Sequence, residues 1–516
     1  MKHQKQTVLV IVDGWGIGSP KDPGNPVTVK TAPNYFSYLE KYPNTQLKAS
    51  GESVGLFKGQ EGNSEAGHLN LGAGRIVKQD ALYISESIKD GLFFKNNAFH
   101  EAMHYVKKHD SSVHLMGLLS NHNSAHSCPE HLYALLELLH RERIKKVYLH
   151  LFTDGRDSSQ FEAARHFKNL EKHFYGNEKV ATVMGRFYAM DRNKSWARIK
   201  RAYDALVLGS GNKAANISDA LRESYNKGDS DEFVEPTIIT EKGKPVATIK
   251  DHDAIFFFNL RSDRARELTK AFVQPNFKEL NPGAFTRSRC PKHIQFVALT
   301  DFGPDLPGIL TAFPSRDVPN SLVQALCPKK QLYIAESEKF AHITYFLNGG
   351  YAQHFCDESW VKISSVELKD YANKPEMSAK QITDYAIGAI KSEHYEFIAL
   401  NFANMDMVGH TGNFTAGQKA VKAVDQAIDR IAKTVLKHKG QLIITADHGN
   451  IEEMINAETG EPNTEHSTNP VPFILITDDK KIPRSLPSGK LANVAPTILK
   501  LMGVAKPAEM TAKSLV

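Results

Sequence analysis

Leu442-Ile443-Ile444-Thr445-Ala446-Asp447-His448-Gly449 is the stretch that decides the fold. A short run suited to a buried strand leads directly into an aspartate and a histidine. An apolar run followed by an aspartate occurs twice more. Phe397-Ile398-Ala399-Leu400 precedes Asp406-Met407-Val408-Gly409-His410, and Val8-Leu9-Val10-Ile11-Val12 ends at Asp13. Carboxylates and imidazoles are metal donors. Their repeated placement after apolar runs predicts a metal-dependent site along one edge of a sheet.

Further candidate strands are 113–118, 147–152, 180–184, 254–260, 294–299, 331–334, 343–346 and 472–476. Between them, Phe161, Ala164, Phe167, Leu170 and Phe174 recur at helical spacing, as do apolar residues in 131–140, 198–208, 378–391 and 416–436. Such alternation predicts an α/β fold with largely parallel sheets, in which ligands bind beyond the carboxyl ends of the strands. Strand 147–152 leads to Asp154-Gly155-Arg156-Asp157, strand 180–184 to Arg186 and Arg192, and strand 254–260 to Arg261 and Arg264. Arginine forks match phosphate and carboxylate oxygens. Metal-donor types thus lie toward the two ends of the chain and cationic residues in its middle. The division predicts a metal-binding domain from residues 1–78 and 315–516, with residues 79–314 inserted as an anion-binding domain. Gly303-Pro304-Asp305-Leu306-Pro307-Gly308, and the segment on to Pro319, read as the returning linker.

A length of 516 residues exceeds one ordinary core. A composition of 41% hydrophobic and 24% charged residues is that of a globular protein. No apolar stretch approaches the ~20 residues needed to cross a bilayer, so no membrane partner is expected. The net charge of +6 comes without a dense Lys/Arg block, which argues against nucleic acid. Cys128, Cys290, Cys327 and Cys356 are scattered, with no CxxC pair and no disulfide framework. With no signal peptide read at the N-terminus, a reducing cytoplasm is the expected location.

Asp406 and His410, four apart, share a face of a helical turn, although such a pair alone is more often a solvated one. Asp447 and His448 are adjacent and point in different directions, so they could serve two ions. His466 lies in the polar loop Asn463-Thr464-Glu465-His466-Ser467-Thr468. With Asp13, these donors favour two metals and suit Mn²⁺ or Zn²⁺ while tolerating Co²⁺. In Gly62-Asn63-Ser64-Glu65-Ala66-Gly67-His68, small residues around Ser64 allow close approach. Metal coordination would bring a serine alkoxide within reach near neutral pH. The alternative is a glycine-rich turn capped by that serine. Lys339 joins the arginines as a candidate anion binder. His126 and Asp157 are candidate proton-transfer groups or hydrogen-bonded structural residues.

Several of these segments, in one order along essentially the whole chain, resemble the cofactor-independent phosphoglycerate mutases of the alkaline phosphatase superfamily. They are Val12 to Gly16, Gly62 to Asn70, Asp154 to Asp157, Gly185 to Arg192, Arg261 to Ala265, Ala335 to Lys339 and Ala446 to Asn450. The resemblance implies an alkaline-phosphatase-like metal domain built from both chain ends and an inserted α/β transferase domain. It implies two Mn²⁺ ions, with Co²⁺, Zn²⁺ or Mg²⁺ as substitutes. One would be held by Asp406, His410 and His466, the other by Asp13, Asp447, His448 and the nucleophile Ser64. His126, Arg156, Asp157, Arg186, Arg192, Arg261, Arg264 and Lys339 match substrate-binding positions. The chain departs from the family in two places. Asn121-His122-Asn123-Ser124-Ala125-His126-Ser127-Cys128 replaces the pattern Asp-Gly-Gly-Val-His-Ser-His, which makes His122 a competitor for the role of His126 and puts Cys128 where a histidine is usual. Glu61 stands where methionine is common.

The implied activity is interconversion of 3- and 2-phosphoglycerate by a monomeric isomerase of glycolysis and gluconeogenesis. It would pass through a phosphoserine on Ser64, without added 2,3-bisphosphoglycerate, with the inserted domain excluding water. The metal donors alone do not separate this from a phosphatase, a phosphodiesterase or phosphopentomutase; the arginines favour a small phosphate that also carries a carboxylate. A binding protein that kept the fold would be expected to have lost metal donors or Ser64.

Overall fold

The computed structural model describes residues 5–19, 21–122, 124–368, 370–456 and 459–516. Asn123, in the segment that departs from the family pattern, lies outside them. The chain divides into two compact units, Met1–Gln79 with Arg316–Val516 and, inserted between them, Asp80–Ser315. Among the described residues no helix is long and apolar enough to cross a membrane.

The first unit is built on a sheet with the strand order Ser359–Ile363, Gln331–Glu336, Phe397–Phe402, Thr7–Val12, Gln441–Thr445, Val471–Ile476, Asn44–Lys48 and Gly489–Lys490. Thr7–Val12 pairs in parallel with both Phe397–Phe402 and Gln441–Thr445, and Val471–Ile476 runs antiparallel. Val8 to Ile11 are fully buried, as expected of a central parallel strand covered on both faces. Burial of each such side chain contributes roughly 1.5–3 kcal/mol. The helix Phe414–Lys437 buries Ala416, Ala420, Val424, Ala427, Ile428, Ile431 and Val435 at helical spacing. Its buried Asp425 carboxylate accepts from the Tyr35 amide at 2.8 Å and the Asn34 side chain at 2.8 Å. That ties the start of the helix Pro33–Lys41 to it.

The second unit holds a sheet with the order Ile309–Phe313, Gln295–Thr300, Ala254–Phe257, Val113–Leu119, Val147–Thr153, Glu178–Gly185, Thr237–Glu241 and Asn212–Ala214. The first six of these run parallel to one another, and Thr237–Glu241 pairs antiparallel with the sixth. This unit has its own core, including Phe152, Tyr203, Phe257, Leu268 and Phe296.

Three expectations are corrected. Residues 343–346 are not a strand. His342–Phe346 forms a wide helical turn, with the Leu347 amide donating to the His342 carbonyl at 3.0 Å; a four-residue apolar run carries no period that separates strand from helix. The stretch read as a linker contains a strand, Ile309–Phe313, paired with Gln295–Thr300. Cys327 and Cys356 are joined as a disulfide, with Cα atoms 6.0 Å apart. The 29-residue separation of that pair has no local signature.

Candidate active site

Four adjacent parallel strands of the first unit, Gln331–Glu336, Phe397–Phe402, Thr7–Val12 and Gln441–Thr445, end at one edge. Lys339, Asp406, Asp13 and the pair Asp447-His448 follow these strands in turn. Each strand is buried throughout, so the polar residues beyond it are the first that can form a site. Asp13, Asp447 and His448 are fully buried, and Asp406 and Lys339 nearly so. Charges so placed must be matched by partners or metal.

Gly14 lets two of these ends meet. Its φ is +75°, and a Cβ there would lie 2.9 Å from the Asp406 backbone. Its amide donates to Asp447 Oδ1 at 3.2 Å, and the Asp406 amide donates to the Asp13 carbonyl at 3.1 Å. Gly14→Ala should therefore cost about 1–3 kcal/mol of stability, from left-handed backbone strain and overpacking. An unfolding midpoint in denaturant equal to that of the parent chain would show that this contact is unimportant.

Ser64 opens the helix Ser64–Ala73, but Asn63 is its cap, accepting from the Ala66 amide at 2.9 Å. The Ser64 hydroxyl thus does not serve as the cap. Its Oγ lies 3.1 Å from Asp13 Oδ1 and 3.0 Å from His448 Nε2. The Lys339 ammonium donates to Ser64 Oγ at 2.7 Å and sits 2.6 Å from both Asp13 Oδ1 and Asp406 Oδ2. The Lys339 ammonium thus lies against Ser64 and two carboxylates of its own unit.

Asp406 Oδ1 lies 3.0 Å from His466 Nε2 and 3.2 Å from His410 Nε2. The opposite ring nitrogens face carbonyls, His410 Nδ1 at 2.7 Å from Thr464 O and His466 Nδ1 at 2.8 Å from Gly62 O. With Nδ1–H donating to carbonyl oxygen, both Nε2 atoms are left as acceptors for metal. Three donor groups have their ligand atoms within 4.8 Å of one another: Asp406 with His410 and His466, Asp13 with Asp406 and His448, and Asp13 with His68 and Asp447.

His68 has no assigned role in the sequence reading, although it lies in the segment around Ser64. Its Nδ1 is 2.9 Å from Ser64 O and 3.1 Å from Asp447 Oδ2, and its Nε2 is 3.0 Å from Asn401 Nδ2. The Asn401 amide also donates to Asp13 Oδ2 at 2.8 Å. His68 and Asn401 thus brace the donor carboxylates. The signal for His68 is its position four residues beyond Ser64, one turn along a helix that is buried on most sides.

The electrostatics fit divalent cations. Burial alone would lower the pKa of His448, but Asp447, Asp13 and Asp406 outweigh it and raise it to about 10. Burial would raise Asp13 and Asp406, yet Lys339 above all holds both well below the usual carboxylate range. Three carboxylates converge on one ammonium and a cluster of imidazoles, and such a donor set calls for added positive charge.

The second unit gathers the arginines beyond its own strand ends. Arg156, Arg186, Arg192 and Arg264 line one cavity of about 350 Å³. Arg186 is buried, with Nη1 at 2.6 Å from Asp154 Oδ1 and 2.9 Å from Asp157 Oδ2. Ser124 donates to Asp157 Oδ2 at 2.7 Å and accepts from the His126 amide at 3.1 Å. Burial, then Arg186 and Arg261, push the His126 pKa down to about 3. Burial would raise Asp157, but Arg186 and the Ser124 hydrogen bond keep it low. Among the described residues, His126 Nδ1 and Arg186 Nε are buried without a hydrogen-bond partner. Arg261 Nε lies 3.3 Å from Asp263 Oδ1, and Arg192 Nη1 lies 3.3 Å from Asp263 Oδ2. His122 faces elsewhere, its exposed ring 3.2 Å from Glu130 Oε1. The backbone amide of His126 reaches Asp157 through Ser124.

Known proteins match this chain along nearly its whole length. Residues 84–304 match the family described as BPG-independent PGAM N-terminus, and residues 323–492 match Type I phosphodiesterase / nucleotide pyrophosphatase. A 2,3-bisphosphoglycerate-independent phosphoglycerate mutase of Moorella thermoacetica is 47% identical over 99% of this chain and 98% of its own. One from Methanosarcina barkeri is 48% identical over the same shares. The solved phosphoglycerate mutase of Leishmania mexicana, studied at low cobalt concentration, superposes with a TM-score of 0.78 at 29% identity, covering 100% of this chain and 98% of that one.

Proposed function

The chain belongs to the family of 2,3-bisphosphoglycerate-independent phosphoglycerate mutases, and on that premise we propose that it interconverts 3- and 2-phosphoglycerate through a phosphoserine on Ser64. The carrying observation is that Ser64 Oγ sits within hydrogen-bond reach of Asp13, His448 and Lys339 at the start of a helix. A helix start favours anions, and Lys339 brings a cation to the same oxygen.

Asp406, His410 and His466 would hold one divalent ion, and Asp13, Asp447, His448 and Ser64 another. Mn²⁺ is proposed for both, with Co²⁺, Zn²⁺ or Mg²⁺ as substitutes. Bound there, such ions lower the pKa of a serine hydroxyl and neutralise charge on a phosphoryl group. Ser64 Oγ attacks phosphorus and loses its proton; the bond from phosphorus to the glycerate oxygen breaks, and that oxygen gains a proton. Lys339 stabilises charge on the transferring group. The second half runs in reverse with the other glycerate hydroxyl. Since the phosphoryl group returns to the same glycerate, no 2,3-bisphosphoglycerate is consumed.

The residues of the second unit bind and orient the substrate. Arg156, Arg186, Arg192, Arg261 and Arg264 supply forks for carboxylate and phosphate oxygens. Asp157 is the proposed base for the attacking glycerate hydroxyl, with the neutral His126 ring as the second proton-transfer group. Arg264→Ala should raise KM for 3-phosphoglycerate roughly 10- to 100-fold, the scale of a charge-assisted hydrogen bond. An unchanged KM in a coupled enolase assay would remove Arg264 from the set. A hydrolase reading shares the same metal donors. Product analysis with 3-phosphoglycerate separates the two: 2-phosphoglycerate supports the mutase, and stoichiometric inorganic phosphate would refute it.

A further inference from the structure

A second cluster of metal donors lies in the inserted unit. Cys128 is the cap residue of the helix Pro129–Arg141, and Glu130 lies in its first turn. His122 reaches them from the preceding loop. Cys128 Sγ is 3.1 Å from Glu130 Oε2, and His122 Nε2 is 3.2 Å from Glu130 Oε1. The donor atoms of all three residues lie within 4.8 Å of one another. Bond lengths of about 2.0–2.3 Å in a tetrahedral zinc site put neighbouring ligand atoms roughly 3.3–3.8 Å apart. The three atoms therefore need little movement to share one ion.

We propose that His122, Cys128 and Glu130 form a separate metal site, suited to a borderline-soft divalent ion such as Zn²⁺. Thiolate, imidazole and carboxylate together select for that class. Cys128 is buried while the His122 ring is largely exposed, so water has access to the fourth position. Two of the donors are fixed by the start of one helix, and only His122 has to settle. The ion would clip the loop that carries Ser124 and His126 to that helix. Binding converts the Cys128 thiol into a metal thiolate and releases its proton to solvent. The donors of the Ser64 centre are all oxygen and nitrogen, so sulfur ligation is a signature of this site alone.

The test is titration of the full metal-stripped chain with Co²⁺, read by near-ultraviolet absorption. A thiolate ligand on Co²⁺ gives a charge-transfer band there that oxygen and nitrogen ligands do not. The parent protein should develop the band, and Zn²⁺ should abolish it. Cys128→Ser should lose it, His122→Ala should shift it to higher Co²⁺, and Cys290→Ser, which removes the exposed thiol, should keep it. Mutase turnover by Cys128→Ser with Mn²⁺ would show that the variant is folded. Should that variant fail to fold, Glu130→Gln and His122→Ala carry the test. No band at Co²⁺ levels that restore mutase activity, or a band that survives in Cys128→Ser, overturns the site. Turnover is read separately, so failure of the assignment of Ser64 would leave this test intact.

Discussion

Ser64→Ala should abolish phosphoenzyme and lower kcat by roughly 10⁴-fold or more, as when a nucleophile is deleted elsewhere. The argument rests on geometry. Ser64 Oγ is the hydroxyl that the Lys339 ammonium, Asp13 and His448 all face within 3.1 Å. Alanine leaves Asn63 as the helix cap, so the local fold has no reason to fail. The loss would then be chemical. Intact-mass analysis of protein quenched during turnover should show one added phosphoryl group in the parent and none in the variant. A phosphorylated Ser64→Ala protein would move the nucleophile to another residue.

Stripping the divalent ions should lower kcat/KM by at least about 10³-fold, equivalent to several kcal/mol of lost charge stabilisation, and Mn²⁺ should restore it. The pH dependence has a definite sign. His448 is raised to about 10 by carboxylates that outweigh burial, and Asp406 likewise raises His410. Both rings take up protons more readily than a free imidazole, and a protonated ring cannot ligate, so acid favours loss of metal. At limiting Mn²⁺, protons should compete with the ion from about pH 10 downward, so activity should fall progressively on acidification and recover with excess Mn²⁺. The second unit adds no acid limb there. His126, at about 3, is neutral throughout, and Asp157 stays ionised. An acid limb that persists at saturating Mn²⁺ would assign it to groups other than the metal ligands.

The edge that carries the candidate site is legible in the sequence because its strands are buried on both faces. Such strands appear as unbroken apolar runs, and the residue that ends each run stands out. Asp13, Asp406 and Asp447 are found this way, as are Arg186 and Arg261. His68 is not, because in a helix buried on most sides a ligand-bracing histidine looks like any core residue. Charge alone groups Lys339 with the arginines. Its true neighbours follow from the pairing of Gln331–Glu336 with Phe397–Phe402, a long-range fact with no local signature. Peripheral strands leave the weakest signal in the sequence. Asn44–Lys48 and Ser359–Ile363 carry exposed polar residues, and Ile309–Phe313 sits in a stretch rich in proline and glycine.

The central position of Thr7–Val12 has a consequence for biosynthesis. Its partners, Phe397–Phe402 and Gln441–Thr445, are translated some 390 residues or more after it. At about 5–20 residues per second, an intensely apolar segment must wait roughly 20–80 seconds near the ribosome with both flanks unpaired. During that interval the inserted unit can complete its own sheet, while the nascent chain remains catalytically silent and attractive to chaperones. A site assembled in this order is complete only after Asp406 and Asp447 have been made.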